Sequence, residues 1–265
     1  MPVPKHKRIH YKTCPLCDAS SFKELRRADC SGHRNYHRDV SPQMIWMRCD
    51  SCAHVFTDGY FGARALAALF GQSYEDEAVG YDIERQRHAW APVIEKVTEL
   101  RANRLGRWLD VGFLNGSAIF TAAEWGYQAS GIDLRPRAVQ GLAAFGFEAQ
   151  CVALTDYTPP APFDVISLFD VIEHMPHPRV AVAHARTILA DDGLLVISTP
   201  NMDSMVWTAL DQTNTNPYWK EVEHYHCFGR RALLDLLERC GFSGIHYAVG
   251  RRFRAGMELI ARKTA

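Results

Sequence analysis

Two Cys-x-x-Cys pairs, Cys14-Pro-Leu-Cys17 and Cys49-Asp-Ser-Cys52, each offer two sulfurs to a single ion. Four thiolates suit tetrahedral zinc, so Cys14, Cys17, Cys49 and Cys52 are expected to hold structural Zn2+. Thirty-one residues separate the pairs, beyond the roughly 15–20 of a compact ribbon. The excess should loop out, carrying Cys30, His33 and His37, where Cys30 or His33 could replace a ligand. A redox pair or four unrelated thiols are the competing readings. A second constellation is acidic. Asp110 closes an apolar run, Gly112 and Gly116 follow it, and Asp133 stands 23 positions after Asp110. A carboxylate at that distance falls at the tip of the next strand, where it can bond a ribose hydroxyl. The turn Gly112-Phe-Leu-Asn-Gly116 lacks the third glycine that a pyrophosphate requires. An adenosine cofactor carrying a sulfonium needs no such glycine, and the Asp110 carboxylate suits its positive charge.

Two further clusters could move a proton. Asp170-x-x-Glu173-His174 follows a strand end, and Glu223-His224-Tyr225-His226 closes a long irregular segment. Neutral histidine is the natural base near pH 7. His224 is the first candidate and His226 the second, because their segment can reach an acceptor. The alternatives are structural: His174 capping a helix, Glu173 bonding backbone amides, His224 packed beneath the last helix. Trp207, Tyr218 and Trp219 are candidates for an acceptor pocket wall or for core.

The elements that must position these groups follow from periodicity. Strands are expected near 108–111, 128–132, 149–152, 164–169 and 194–198, with helices near 116–125, 135–145 and 178–190. This alternation predicts an α/β fold, a parallel sheet with helices on both faces. Gly126, Gly146 and Gly241 each precede an apolar residue that enters the next strand, as helix-ending glycines do. A helix at 229–240 and strands at about 243–250 and 255–262 finish the chain, and the short connection 251–254 predicts an antiparallel pair. Residues 12–58 carry the thiols, with strand-like runs at 44–47 and 54–56. Residues 63–104 look helical, punctuated by Gly71 and Gly80, with Trp90, Val93, Ile94, Val97 and Leu100 on one face. The chain thus divides into a zinc ribbon over 1–60, a helical linker or cap over 61–105, and a cofactor-binding domain over 106–265.

Composition narrows the partners. The 265 residues carry 30 basic and 30 acidic side chains and are 47% hydrophobic. A sizeable core can form, but no broad positive field for nucleic acid or an anionic membrane is expected. No apolar run nears the ~20 residues of a spanning helix, and the basic opening Lys5-His6-Lys7-Arg8 reads as a solvated tail. The expected setting is cytoplasmic. With no signal segment, metal ligation is favoured over a disulfide framework.

Asp110-Val-Gly112-x-x-x-Gly116, Gly131-Ile-Asp133, Phe163-Asp164-Val165-Ile166, Asp170-Val-Ile-Glu173-His174 and Ser198-Thr-Pro-Asn201 occur in order. Together they resemble a class I S-adenosylmethionine-dependent methyltransferase. The Glu-His pair and Thr-Pro-Asn turn are similar to the branch of ubiquinone-biosynthesis O-methyltransferases. The resemblance covers about residues 80–263. It implies a Rossmann-like sheet of seven strands, the last antiparallel, with Gly112 and Gly116 against the methionine part. It further implies Asp133 on the ribose, Leu154 beside the adenine, and Asp110, Asn115, Leu134, Phe169 and Asp170 completing the cofactor contacts. In the quinone-like relatives an acid, a Glu and a His hold a divalent metal beside a catechol-like acceptor, and Asp170, Glu173 and His174 match that set in type. The N-terminal segment, above all 48–57, resembles the zinc-binding segment preceding many bacterial sugar and natural-product methyltransferases.

Two positions depart from the pattern. Leu114 replaces the middle glycine of G-x-G-x-G, and would crowd the cofactor path unless its φ is negative. Ala153 stands where an acid often flanks the adenine, with Asp156 displaced. The expected function is methyl transfer to a small-molecule acceptor, on oxygen rather than carbon, of a sugar or secondary metabolite. An RNA methyltransferase and a noncatalytic cofactor-binding scaffold are the alternatives. The neutral charge and the missing Asn/Asp-Pro-Pro-Tyr/Phe motif oppose the first, and Leu114 motivates the second.

Overall fold

The computed structural model describes residues 6–69, 74–250 and 255–264. The 251–254 connection, the Gly71 break and the Lys5 end of the basic opening lie outside the described residues. The chain opens with β1 (Ile9–His10), β2 (Phe22–Asp29), β3 (Gln43–Cys49), β4 (Val55–Thr57), β5 (Gly59–Tyr60) and α1 (Ala63–Leu69). A 3-10 turn, Glu75–Glu77, precedes α2 (Ile83–Leu100). Alternation follows: β6 (Arg107–Val111), α3 (Ser117–Trp125), β7 (Gln128–Ile132), α4 (Pro136–Ala144), β8 (Glu148–Gln150), β9 (Phe163–Phe169), α5 (Pro178–Ile188) and β10 (Leu189–Pro200). The last part holds α6 (Met205–Gln212), β11 (His226–Cys227), α7 (Arg230–Arg239), β12 (Phe242–Val249) and β13 (Gly256–Lys263).

These elements form two compact units. The first comprises residues 1–72, 172–179 and 200–236; the second comprises 73–171, 180–199 and 237–265. In the second unit, seven strands lie in the order β12-β13-β10-β9-β6-β7-β8. Adjacent pairs from β10 to β8 run parallel, and β13 runs antiparallel to β12, as the short final connection implied. Strands buried on both faces read as continuous apolar runs, and β9 is buried at all but one position. Its buried polar residue, Ser167, has a specific partner described below. Trp90, Val93, Ile94 and Val97, spaced at helical intervals on α2, pack with Trp108, Ala118, Ala122, Val165 and Val196 in the main core. Gly126 and Gly146 follow α3 and α4 at positive φ (99° and 85°), where a residue without Cβ is unstrained.

The first unit contains a four-stranded sheet in the order β11-β4-β3-β2, and a β1–β5 pair. The long β2–β3 hairpin accounts for the spacing of the thiol pairs, because its strands and the 30–42 loop stand between Cys17 and Cys49. β2 escapes a period-2 reading because Phe22–Asp29 is charged and largely exposed. β11 belongs to the long irregular segment, yet it pairs with β4 through His226–Phe56 and Cys227–Val55.

Candidate functional site

The rim of the second unit is built from strand ends. β6, β7 and β9 are neighbours, and each delivers an acid near its carboxyl end: Asp110, Asp133 and Asp170. Open parallel sheets bind ligands at that edge. Asp110 is only 2% exposed and is held in place by a relay. Trp108 Nε1 donates to Ser167 Oγ (2.8 Å), which donates to Asp110 Oδ1 (2.6 Å). That relay explains the single hydroxyl in the apolar β9.

Between β6 and α3 the backbone turns sharply. Gly112 and Gly116 have φ of 66° and 76°, and a Cβ on Gly112 would meet Val171 Cγ2 at 2.8 Å. Leu114 also has positive φ, 48°, and is 42% exposed, so the conformation of the missing middle glycine is kept with a side chain in it. Asn115 is buried and ties the turn to the segment before α2. Its carbonyl accepts from Gly80 N (2.9 Å), its Nδ2 reaches Tyr81 O (3.4 Å), and its Oδ1 accepts from Ser117 N (3.2 Å).

Asp133, 4% exposed, is bracketed by Arg135, whose backbone N–H, Nε and Nη2 all donate to the carboxylate. Leu134 is largely exposed, whereas Leu154 and Phe169 are buried, the latter 4.2 Å from the Trp90 ring centroid. Asp170 adopts φ 55°, and its N–H donates to Ser198 O (2.9 Å) and Oγ (3.1 Å). Glycines without Cβ beside three acids suit a compact, positively charged nucleoside, so the residues fit an adenosyl sulfonium.

In the first unit the four knuckle sulfurs all lie within 4.8 Å of one another. Cys14 Sγ and Cys52 Sγ are 3.7 Å apart, Cys17 Sγ and Cys49 Sγ 3.6 Å. A tetrahedral Zn–S bond of about 2.3 Å gives an S–S edge of about 3.8 Å, whereas a disulfide would bring sulfurs to about 2.05 Å. Burial pushes the Cys52 thiol up to about 11 and raises Cys14 as well, so both thiolates need a cation to persist at neutral pH. The residues fit zinc.

Glu173, His174 and His224, rather than the expected Asp170, Glu173 and His174, form a second cluster in the same unit, with ligand atoms within 4.8 Å of one another. His174 Nδ1 donates to Glu223 O (3.2 Å), and its ring meets that of His224 edge-on at 4.6 Å. Burial, then the neighbouring His174, hold the His224 imidazole well below its usual value. Two residues of the 30–42 loop brace the flanking acids. His33 Nε2 lies 2.6 Å from Glu221 Oε2, and Asn35 Nδ2 donates to Glu223 Oε1. The hydrogen bond to Glu221 raises the His33 pKa against the effect of its burial.

His226 is differently placed. Its Nε2 donates to Met175 O (2.9 Å), and its Nδ1 accepts from His54 Nε2 (3.0 Å). Burial lowers it to about 3, and both ring nitrogens serve the packing of the unit. Trp207 and Trp219 are buried: Trp207 stacks on Tyr218 at 5.0 Å, and Trp46 Nε1 donates to Trp219 O. Arg135, Asn35 and His54 carried no functional reading in the sequence. Only Arg135 had a usable signal, a guanidinium two positions after the rim acid.

A family model described as a methyltransferase domain matches residues 81–247. Among curated proteins, the ubiquinone biosynthesis O-methyltransferase of Idiomarina loihiensis is 30% identical over 107 residues, 37% of this chain and 44% of that protein. The Xylella fastidiosa (strain M23) protein of the same name is 31% identical over 127 residues, 44% and 52%. The chain therefore spans about half the length of the curated relatives it matches. A Burkholderia thailandensis 1,6-didemethyltoxoflavin-N1-methyltransferase, solved with S-adenosylhomocysteine, superposes with TM-score 0.58 at 20% identity, covering 80% of this chain and 96% of that one. Magnesium protoporphyrin IX methyltransferase from Synechocystis PCC 6803 gives TM-score 0.55 at 18% identity, covering 72% and 91%. At these identities the structural likeness carries the fold.

Proposed function

The chain belongs to the methyltransferase-domain family, and from that premise we propose that it transfers the methyl group of S-adenosylmethionine to a small-molecule acceptor, a hydroxyl of a sugar or secondary metabolite. The observation that carries this reading is the row of acids at the carboxyl ends of β6, β7 and β9 beside the Gly112–Gly116 turn. When bound, the cofactor supplies an electrophilic methyl group on sulfonium. Asp133 accepts ribose hydroxyls, Asp110 and Asp170 offset positive charge, and the paired φ values of Gly112 and Gly116 let backbone approach the methionine part.

Displacement at a methyl carbon is in line, so orientation and exclusion of water do most of the work. The acceptor oxygen must also lose a proton. We assign that proton to His224, whose depressed pKa keeps it neutral and able to accept near pH 7. As a neutral imidazole, His224 can take the proton that a hydroxyl acceptor loses, and the cofactor, when bound, would supply the methyl group and depart as a neutral thioether. Zinc on Cys14, Cys17, Cys49 and Cys52 is structural in this reading, and the balanced net charge favours a small acceptor over RNA.

The central test is calorimetric. Asp133→Ala should weaken S-adenosylmethionine binding about tenfold, and an unchanged affinity would remove the ribose role. The grouping of Glu173, His174 and His224 favours a second reading, a divalent cation that activates the acceptor oxygen. Magnesium titration should then give binding heat that His174→Ala abolishes. An absence of heat would leave His224 as the base.

A further inference from the structure

The rim acid is already committed to a neighbour. Asp133 Oδ1 accepts from Arg135 N at 2.8 Å and from Arg135 Nε at 2.9 Å, while Oδ2 accepts from Nη2 at 2.7 Å. A carboxylate offers about four acceptor positions, two on each oxygen. Oδ1 is therefore filled, and Oδ2 keeps one position among the described residues. A ribose diol that bonds both oxygens needs one position on each. The second hydroxyl finds none until the guanidinium leaves Oδ1.

A landing place stands beside it. Arg135 Nη1 lies 3.5 Å from Glu77 Oε2, in the 3-10 turn before α2, with side chains 22% and 23% exposed. The fork is thus held between two carboxylates, one on the rim and one off it. A guanidinium keeps its charge throughout and binds carboxylates through a planar fork. Moving it from Asp133 to Glu77 exchanges one partner for another and leaves no buried cation alone.

We propose that Arg135 is a latch on the ribose acid, released toward Glu77 when an adenosine diol takes Asp133. Before binding, the latch keeps the nearly buried Asp133 carboxylate neutralised and oriented, and the released arm stays beside the cofactor mouth. The latch makes affinity depend on the ribose hydroxyls twice over, since a ligand without the diol cannot displace the fork. The proposal rests on the cofactor reading above.

Calorimetry with S-adenosylhomocysteine on the full chain tests it through a double-mutant cycle. Arg135→Ala should bind about fivefold tighter, since no ion pair must be broken first. Glu77→Gln should bind a few-fold weaker, and the same change should have no effect in the Arg135→Ala background. Arg135→Lys, which keeps the charge without the fork, should fall between wild type and Arg135→Ala, and it serves if the alanine variant melts early. Tight binding by wild type with unchanged or weakened binding by Arg135→Ala overturns the latch alone, as does a Glu77→Gln effect of equal size in both backgrounds. Wild type that ignores the ligand overturns the cofactor reading and the latch with it.

Discussion

Leu114 holds the φ of 48° that a glycine would take without strain. A side chain in the left-handed region costs about 1–2 kcal/mol, part of which a glycine would forfeit through its freer unfolded chain. Leu114→Gly should therefore stabilise the protein by about 0.5–1 kcal/mol in thermal or urea melts, and should tighten S-adenosylhomocysteine binding because the half-exposed side chain leaves the turn. A destabilised variant would show that Leu114 packs usefully. The sequence exposes this residue as a departure, but not its backbone angle, because only the surrounding turn dictates φ. The acids were legible for a different reason: Asp110 and Asp133 sit at strand ends, and strand ends follow from apolar runs. Arg135 was less legible, since its place two positions after the rim acid hints at a partner but only the structure shows the bonds.

At the level of elements, periodicity located the strands and helices of the second unit to within a few residues, as in β8, found at Glu148–Gln150 where 149–152 was expected. The thiol-bearing segment was harder. β2 alternates poorly, and its role appears only once β3 pairs with it from Phe22–Cys49 to Asp29–Gln43. The four sulfurs were legible because two short spacings are enough to define a tetrahedron. Small sheets of this kind depend on their staple. Cys14→Ser should release zinc and lower the melting temperature of the first unit. Metal analysis showing full zinc in the folded variant would rule out that ligand.

Across the whole molecule, a linear reading divides the chain at residues 60 and 105, whereas contacts gather non-contiguous segments. Residues 172–179 and 200–236 cluster with the thiol-bearing segment although the family match runs through them. No local pattern could reveal this, because the pairing of β11 with β4 joins residues about 170 apart. Asp110, Asp133, Leu114 and Arg135 all belong to the second unit. S-adenosylhomocysteine binding by calorimetry should accordingly persist in Cys14→Ser protein, and its loss would show that the first unit is needed for cofactor capture.

The β11–β4 pair has one more implication. β4 is the strand against which β11 lies, and Trp46 on β3 donates to the carbonyl of Trp219. A chain shortened to the family-matched stretch would strand an aromatic segment with nothing to fold upon. Replacing the N-terminal segment alone would leave residues 200–236 without their strand partner, so the two stretches make one structural unit although most of the seven-stranded sheet lies between them in the sequence.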